Sequence, residues 1–189
     1  MLILASGSPR RREILTMLGY AFKVVPADAD ETLEEGIDPD RAVAELSKRK
    51  AEAVGKLYPL DVVLGADTLV FCGGVILGKP ESMEDAAQML RFLSGRTHQV
   101  YTGVTILNQT GSKTWMNVSN VTFLDLTEEE IRAYLETGEP MDKAGAYAVQ
   151  GKGSALIESI SGDFFAVMGL HASSTARFLK EFGIAPNNL

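Results

Sequence analysis

Short apolar runs alternate with helix-start signals along nearly the whole chain, and this alternation limits the possible folds more than any other feature. Leu2 to Ala5 and Val62-Val63-Leu64 are brief, uninterrupted apolar runs, as expected of strands covered on both faces. Ser8-Pro9 and Asp38-Pro39 each put a capping side chain before a proline at the first helical position. The first helix is predicted to run to about Leu18, with Gly19 closing it and Ile14, Leu15 and Leu18 on its apolar face. Phe22 to Val25 reads as a second strand. The second helix carries Ala42, Val43, Leu46, Ala53, Val54 and Leu57 at helical spacing.

The remaining elements follow the same logic. Gly65-Ala66-Asp67-Thr68 interrupts the apolar run before Leu69-Val70-Phe71, and Gly73-Gly74 marks a hairpin returning through Val75-Ile76-Leu77. Ser82 with Asp85, and Thr127 with Glu130, are capping-box pairs for helices ending near Leu93 and Gly138. Val100 to Leu107 and Thr114 to Leu126 are rich in strand formers around a turn near Thr110-Gly111. Ala155 to Ile160 and Phe164 to Val167 read as two more strands, and Ala172 to Phe182 as a last helix stopped by Gly183. Hairpins and helical crossovers together predict an α/β fold, a mixed twisted sheet flanked by helices. With 189 residues and no linker or repeat, residues 1–189 are expected to form a single domain.

Composition narrows the partners. Apolar residues at 46% and charged residues at 23% are ordinary for a globular chain. Eighteen Lys and Arg against 25 Asp and Glu leave a net charge of −7, which argues against a free-standing nucleic-acid binder. No stretch approaches the ~20 apolar residues of a membrane span. One cysteine, Cys72, allows no intrachain disulfide, and this fits a reducing, cytoplasmic setting.

Six segments carry candidate chemistry. Arg10-Arg11-Arg12 fall in the first turn of a helix, where the dipole disfavours cations unless an anion is bound. With the Ser6 and Ser8 hydroxyls they make either a phosphate site or a solvated basic face. Asp67 follows an apolar strand, where a carboxylate holds a divalent metal, orients a water, or simply caps a turn. The acidic stretch Asp28, Asp30, Glu31, Glu34, Glu35 is a solvated loop or the source of a second carboxylate beside Asp67. Lys48-Arg49-Lys50 is a helix surface unless Lys50, four residues after Leu46, reaches inward. Gly73 to Pro80 nearly matches a P-loop, but Pro80 has no hydroxyl and a hairpin precedes Lys79. The P-loop reading fails, and Lys79 stays as a phosphate cation. Met141 to Gly151 is rich in small residues, with Asp142 and Lys143 near one end and Gln150 near the other. Its glycines permit close approach to a ligand or serve loop geometry alone. The Gln150 amide offers a donor and an acceptor to a nucleobase edge. His98 and His171 show no zinc spacing with Cys72.

Taken together and in order, Ser6-Gly7-Ser8-Pro9-Arg10-Arg11, Gly65-Ala66-Asp67-Thr68, Gly78-Lys79-Pro80, Leu93-Ser94-Gly95-Arg96-Thr97-His98 and Asp142-Lys143-Ala144-Gly145-Ala146-Tyr147 resemble the Maf family of nucleoside triphosphate pyrophosphatases. The resemblance runs from Leu4 to about Leu170. It implies two lobes around a central cleft, a fold related to the inosine triphosphate pyrophosphatases, and a homodimer. It also implies hydrolysis of a nucleoside triphosphate to the monophosphate and pyrophosphate with a divalent cation, Mg²⁺ or Mn²⁺. Asp67 would be the proton acceptor and, with Glu31, the metal ligand. Ser8, Arg11, Glu31, Lys50 and Lys79 would line the phosphate and metal site, with Glu31, Lys50 and Lys79 counted beside Asp67 as catalytic, and Lys143 would bind substrate. Arg10, Thr68 and Gln150 match the residues that set base choice in the branch acting on dTTP and UTP. Two other classes stay open: a nucleotide-binding regulator of septum formation with little turnover, and a purine-directed enzyme acting on inosine or xanthosine triphosphates.

Overall fold

The structure is a computed structural model that describes residues 1–187. Seven strands form one mixed sheet with the path β2-β1-β3-β5-β6-β7, and β4 pairs with β3 off that path. The strands are β1 (Leu2–Leu4), β2 (Phe22–Val24), β3 (Val62–Cys72), β4 (Val75–Leu77), β5 (Thr97–Asn108), β6 (Gly111–Phe123) and β7 (Ile157–Ser161). The helices are α1 (Pro9–Met17), α2 (Pro39–Gly55), α3 (Met83–Leu93), α4 (Glu128–Leu135), α5 (Phe164–Met168) and α6 (Ala172–Glu181). Among the described residues, no helix is long and apolar enough to cross a membrane.

The chain divides into two compact units, each with its own core. The first comprises residues 1–67, 102–117 and 169–187, and the second 68–101 and 118–168. In the first, β1 pairs in parallel with both β2 and β3, matching Leu4 to Val24 and to Leu64. Ile3, Ala5, Ala51, Val54 and Val63 are packed together there. In the second, β4 returns antiparallel to β3 and β7 lies antiparallel to β6. Its core joins Ala86, Ala87, Leu90 and Leu93 of α3 to Val70, Phe123, Tyr134 and Tyr147.

Helix α2 sits close against the sheet because glycines leave room for it. A Cβ on Gly65 would lie 2.5 Å from the Ser47 carbonyl oxygen and 2.6 Å from the Ala51 nitrogen. On the neighbouring strand, a Cβ on Gly103 would lie 2.3 Å from the Val43 carbonyl oxygen. Neither backbone contact can be relieved by rotating a side chain, so both positions need the missing Cβ. Ser47, fully buried in this seam, hydrogen-bonds the Thr105 hydroxyl at 3.0 Å, and Thr105 in turn bonds Thr114 at 2.9 Å.

Three expectations need correction. Gly65 to Thr68 does not interrupt a strand; β3 runs unbroken from Val62 to Cys72, and Gly65 marks where α2 packs on the strand rather than where the strand stops. Phe164 to Val167 is helix α5, not a strand. Asp163 Oδ1 accepts the Ala166 N–H at 2.6 Å, an N-cap that starts a helix in a run whose apolar composition looks extended. The apolar face of α2 uses Ala51 rather than Leu57, which lies beyond the helix end and is exposed. The proline-led starts of α1 and α2 and the full capping box of Thr127 with Glu130 match expectation. Ser82 accepts the Asp85 N–H, but Asp85 reaches back to Glu81 instead of Ser82.

Candidate active site

The first unit gathers charged side chains around the middle of β3. Asp67, six residues into the strand, is buried there. Lys50 projects from α2 and its Nζ lies 2.5 Å from Asp67 Oδ1 and 2.8 Å from Glu31 Oε1. The Lys50 and Asp67 side chains are only 13% and 11% exposed, whereas Glu31 is 62% exposed. The close seat of α2 on Gly65, two residues before Asp67, is what lets a side chain three positions past Ser47 reach that carboxylate. The inward option for Lys50 is therefore the one the fold adopts.

Arg11 supplies a second cation. It turns inward from α1, donating from Nε to the Gly169 carbonyl at 2.9 Å and from Nη1 to Ser6 Oγ at 3.0 Å. Burial pushes its guanidinium below the ordinary value; the charge of Asp67 pulls it back, that of Arg10 adds to the lowering, and that of Glu31 opposes it. These four charges are thus close enough to feel one another. Ser8 is the N-cap of α1 but makes no side-chain cap bond, and its N–H donates to Ser6 Oγ at 3.2 Å. Arg12 is exposed.

One participant is not legible in the sequence. Arg49 donates from Nη1 to the Asp30 carbonyl at 3.1 Å and to the Thr32 carbonyl at 2.6 Å. It brackets Glu31 from both sides, while Glu45 pairs with its Nη2. The Thr32 N–H bonds back to Asp30 Oδ1 at 2.9 Å. The acidic stretch is therefore tied to α2 by Arg49 and Lys50, one fixing its backbone and the other its carboxylate. Within Lys48-Arg49-Lys50 no spacing signal separates a clamp from a solvated arginine.

The other expected residues belong to the second unit. Thr68 follows Asp67 on β3 and is half-buried. Lys79 is exposed just after β4. Lys143 pairs with Asp142 and donates to the Glu139 carbonyl at 3.2 Å. Gln150 is exposed in a turn. Among the described residues, no group of three His, Cys, Asp or Glu side chains gathers as a metal cluster. His98 is no ligand candidate: it is buried, bonded through Nε2 to the Tyr147 hydroxyl at 2.8 Å, and held by burial down to about 4.

A mixed sheet flanked by helices, with Lys50 of α2 paired to buried Asp67 on a central strand, places the chain in the α/β class. The same fold occurs in the Staphylococcus aureus Ham1 protein, at a TM-score of 0.53 and 14% identity over 96% of each chain. The family model for Maf-like protein matches residues 1–182, and the chain belongs to the Maf family. It is 45% identical to the dTTP/UTP pyrophosphatase of Bacillus pumilus, over 98% of both chains. It is 48% identical to proteins of the same name from Bacillus velezensis and Geobacillus sp., over at least 96% of each chain.

Proposed function

We propose that this protein hydrolyses dTTP and UTP to the monophosphate and pyrophosphate, as a divalent-metal-dependent house-cleaning enzyme. The observation that carries the reading is the Lys50 ammonium held between Asp67 and Glu31 beside buried Arg11. The names of relatives at 45–48% identity support it.

A triphosphate brings about four negative charges to a protein that is itself acidic, so its cations must be concentrated locally. In this reading Arg10, Arg11, Lys50 and Lys79 hold phosphate oxygens, together with the Ser8 hydroxyl at the start of α1, and Lys143 binds substrate. Asp67 accepts the proton of a water attacking the α-phosphorus. The bond from that phosphorus to the bridging oxygen breaks, and pyrophosphate leaves with its charge stabilised by the cations. Arg10, Thr68 and Gln150 choose the base.

The donor set fits a hard divalent cation. Two carboxylate oxygens already converge on one positive centre, and Mg²⁺ or Mn²⁺ takes one or two carboxylates with phosphate and water completing its shell. Asp67 and Glu31 would hold it, and it would neutralise phosphate charge as a Lewis acid. The reading has residues 1–189 working as one domain, as a homodimer in the cytoplasm, with no nucleic acid or membrane as partner.

Phosphorus NMR of the UTP reaction tests the bond cleaved. UMP with pyrophosphate is the expected outcome; UDP with orthophosphate would exclude attack at the α-phosphorus.

A further inference from the structure

The segment carrying Gln150 is held on both flanks by a single phenol–carboxylate pair. Tyr134, in the last turn of α4, donates its hydroxyl hydrogen to Glu139 Oε1 at 2.9 Å. The same hydroxyl oxygen accepts the Ala148 N–H at 3.1 Å. Glu139 Oε1 accepts the Gly153 N–H at 3.0 Å, and its Oε2 accepts the Lys152 N–H at 3.0 Å. Three backbone amides, one before Gln150 and two after it, thus end on two side chains.

The close fit is also written in the glycines. A Cβ at Gly151 would lie 2.3 Å from the Glu139 carboxylate, and one at Gly153 would lie 2.7 Å from both the Tyr134 hydroxyl and the Ala148 carbonyl. Tyr134 is buried, and burial raises its hydroxyl, so it serves as a neutral donor. Burial alone would raise the Glu139 carboxyl, but the Gly153 and Lys152 N–H groups and the Tyr134 hydroxyl hold it below the ordinary value. Gln150 itself, at the centre of this clamped segment, is exposed. A satisfied network that is buried at Tyr134 and half-buried at Glu139 is more than an exposed turn needs for its own geometry, and such networks fix one conformation.

We propose that Tyr134 and Glu139 are positioning residues that set base choice by fixing the backbone on either side of Gln150. The proposal rests on the reading of Gln150 as the residue that pairs with the base. A carboxamide is ambiguous, since it offers one acceptor and two donors. It can meet uracil, which presents an acceptor and an N–H, or turn over and meet cytosine, which presents an amino group and an acceptor. It discriminates only where its position is held so that one sense satisfies its neighbours and the other leaves a polar group unpaired. A loosened loop lets the amide accommodate both bases.

The test is the ratio of dissociation constants for CMP and UMP, measured by calorimetry on wild type, Glu139→Gln, Tyr134→Phe and Gln150→Ala. These products need no turnover, so the ratio is independent of whether the chain hydrolyses triphosphates. Wild type is expected to prefer UMP, and each clamp variant to lose about fivefold of that preference, as Gln150→Ala does. Tyr134→Phe keeps the ring in the core and serves if Glu139→Gln does not fold. A structural role alone would weaken both nucleotides in equal proportion. An unchanged ratio in the clamp variants, with a changed one in Gln150→Ala, overturns the clamp and leaves the base reader standing. An unchanged ratio in Gln150→Ala removes the base reader and the clamp with it.

Discussion

Lys50 Nζ lies 2.5 Å from Asp67 Oδ1, and the same ammonium lies 2.8 Å from Glu31 Oε1. One positive group thereby joins α2, the middle of β3 and the acidic stretch between β2 and α2. The two halves of this contact differ in surroundings, because Lys50 and Asp67 are mostly buried and Glu31 is mostly exposed. They should respond differently to mutation.

Lys50→Met leaves a buried carboxylate without its ion partner, and the expected loss of unfolding free energy is about 3 kcal/mol. Glu31→Gln breaks a solvent-screened pair and should cost less than about 1 kcal/mol. Both should lower turnover by at least about a hundredfold, Lys50→Met because it removes a cation facing the phosphates and Glu31→Gln because it removes a carboxylate read as a metal ligand. Urea denaturation beside a pyrophosphate assay separates the effects; equal losses of stability would contradict the difference in burial.

Gly65→Ala attacks the same site from behind. The added Cβ would meet the Ser47 and Ala51 backbone at 2.5–2.6 Å, so α2 must move off the sheet and carry Lys50 with it. We expect destabilisation of about 3 kcal/mol or more together with loss of activity. A variant as stable as wild type in thermal melting would show that the seam is looser than described.

Much of this architecture is legible in the sequence, for reasons that can be stated residue by residue. Pro9 and Pro39 fix helix starts because proline suits the first turn, and Val62-Val63-Leu64 is apolar because β3 is buried. Phe164 to Val167 misleads because four apolar residues have no period of their own; the deciding signal is Asp163, which caps the Ala166 N–H three residues on without the Glu or Gln that completes a capping box. Asp67 stands out as a candidate, but not its depth inside β3, since Gly65 looks like a break until α2 is seen filling the space beside it. Arg49 escapes notice because its carbonyl partners, Asp30 and Thr32, lie 19 and 17 residues away. The gathering of Glu31, Lys50, Asp67 and Arg11 needed the fold; the choice of those residues did not.

Arg49→Ala should free the acidic stretch without unfolding the chain, since Arg49 is partly exposed. Its clearest readout is hydrogen exchange at residues 30–33, which should speed up, with turnover falling about tenfold through the less well placed Glu31. Unchanged exchange would mean that Lys50 alone holds the loop.

Protonation of His98 gives a pH dependence of stability. Burial holds its imidazole down to about 4, against an ordinary value of 6.5. Its Nε2 pairs with Tyr147 and its buried Nδ1 has no partner among the described residues, so a second N–H would have nowhere to donate. Below pH 6.5 the unfolded chain takes up a proton that the folded chain refuses. This contribution is therefore intact above about pH 6.5 and is lost as pH falls toward 4, by about 3 kcal/mol at most. His98→Gln should flatten that part of a melting-temperature profile. A profile with the same slope in both proteins would assign the pH effect to other groups.

The central claim is that Asp67 activates water for cleavage of dTTP and UTP, and pyrophosphate release tests it most directly. Wild type and Asp67→Asn would be assayed with dTTP, UTP, CTP, ATP and ITP in Mg²⁺ and in Mn²⁺, with nucleotide binding and melting temperature measured alongside. The account predicts release chiefly from dTTP and UTP by wild type. In Asp67→Asn, release falls by about a thousandfold or more while binding and fold are kept. Release by the variant at the wild-type rate would contradict it, as would a folded wild-type protein that binds nucleotides and releases no pyrophosphate from any of them.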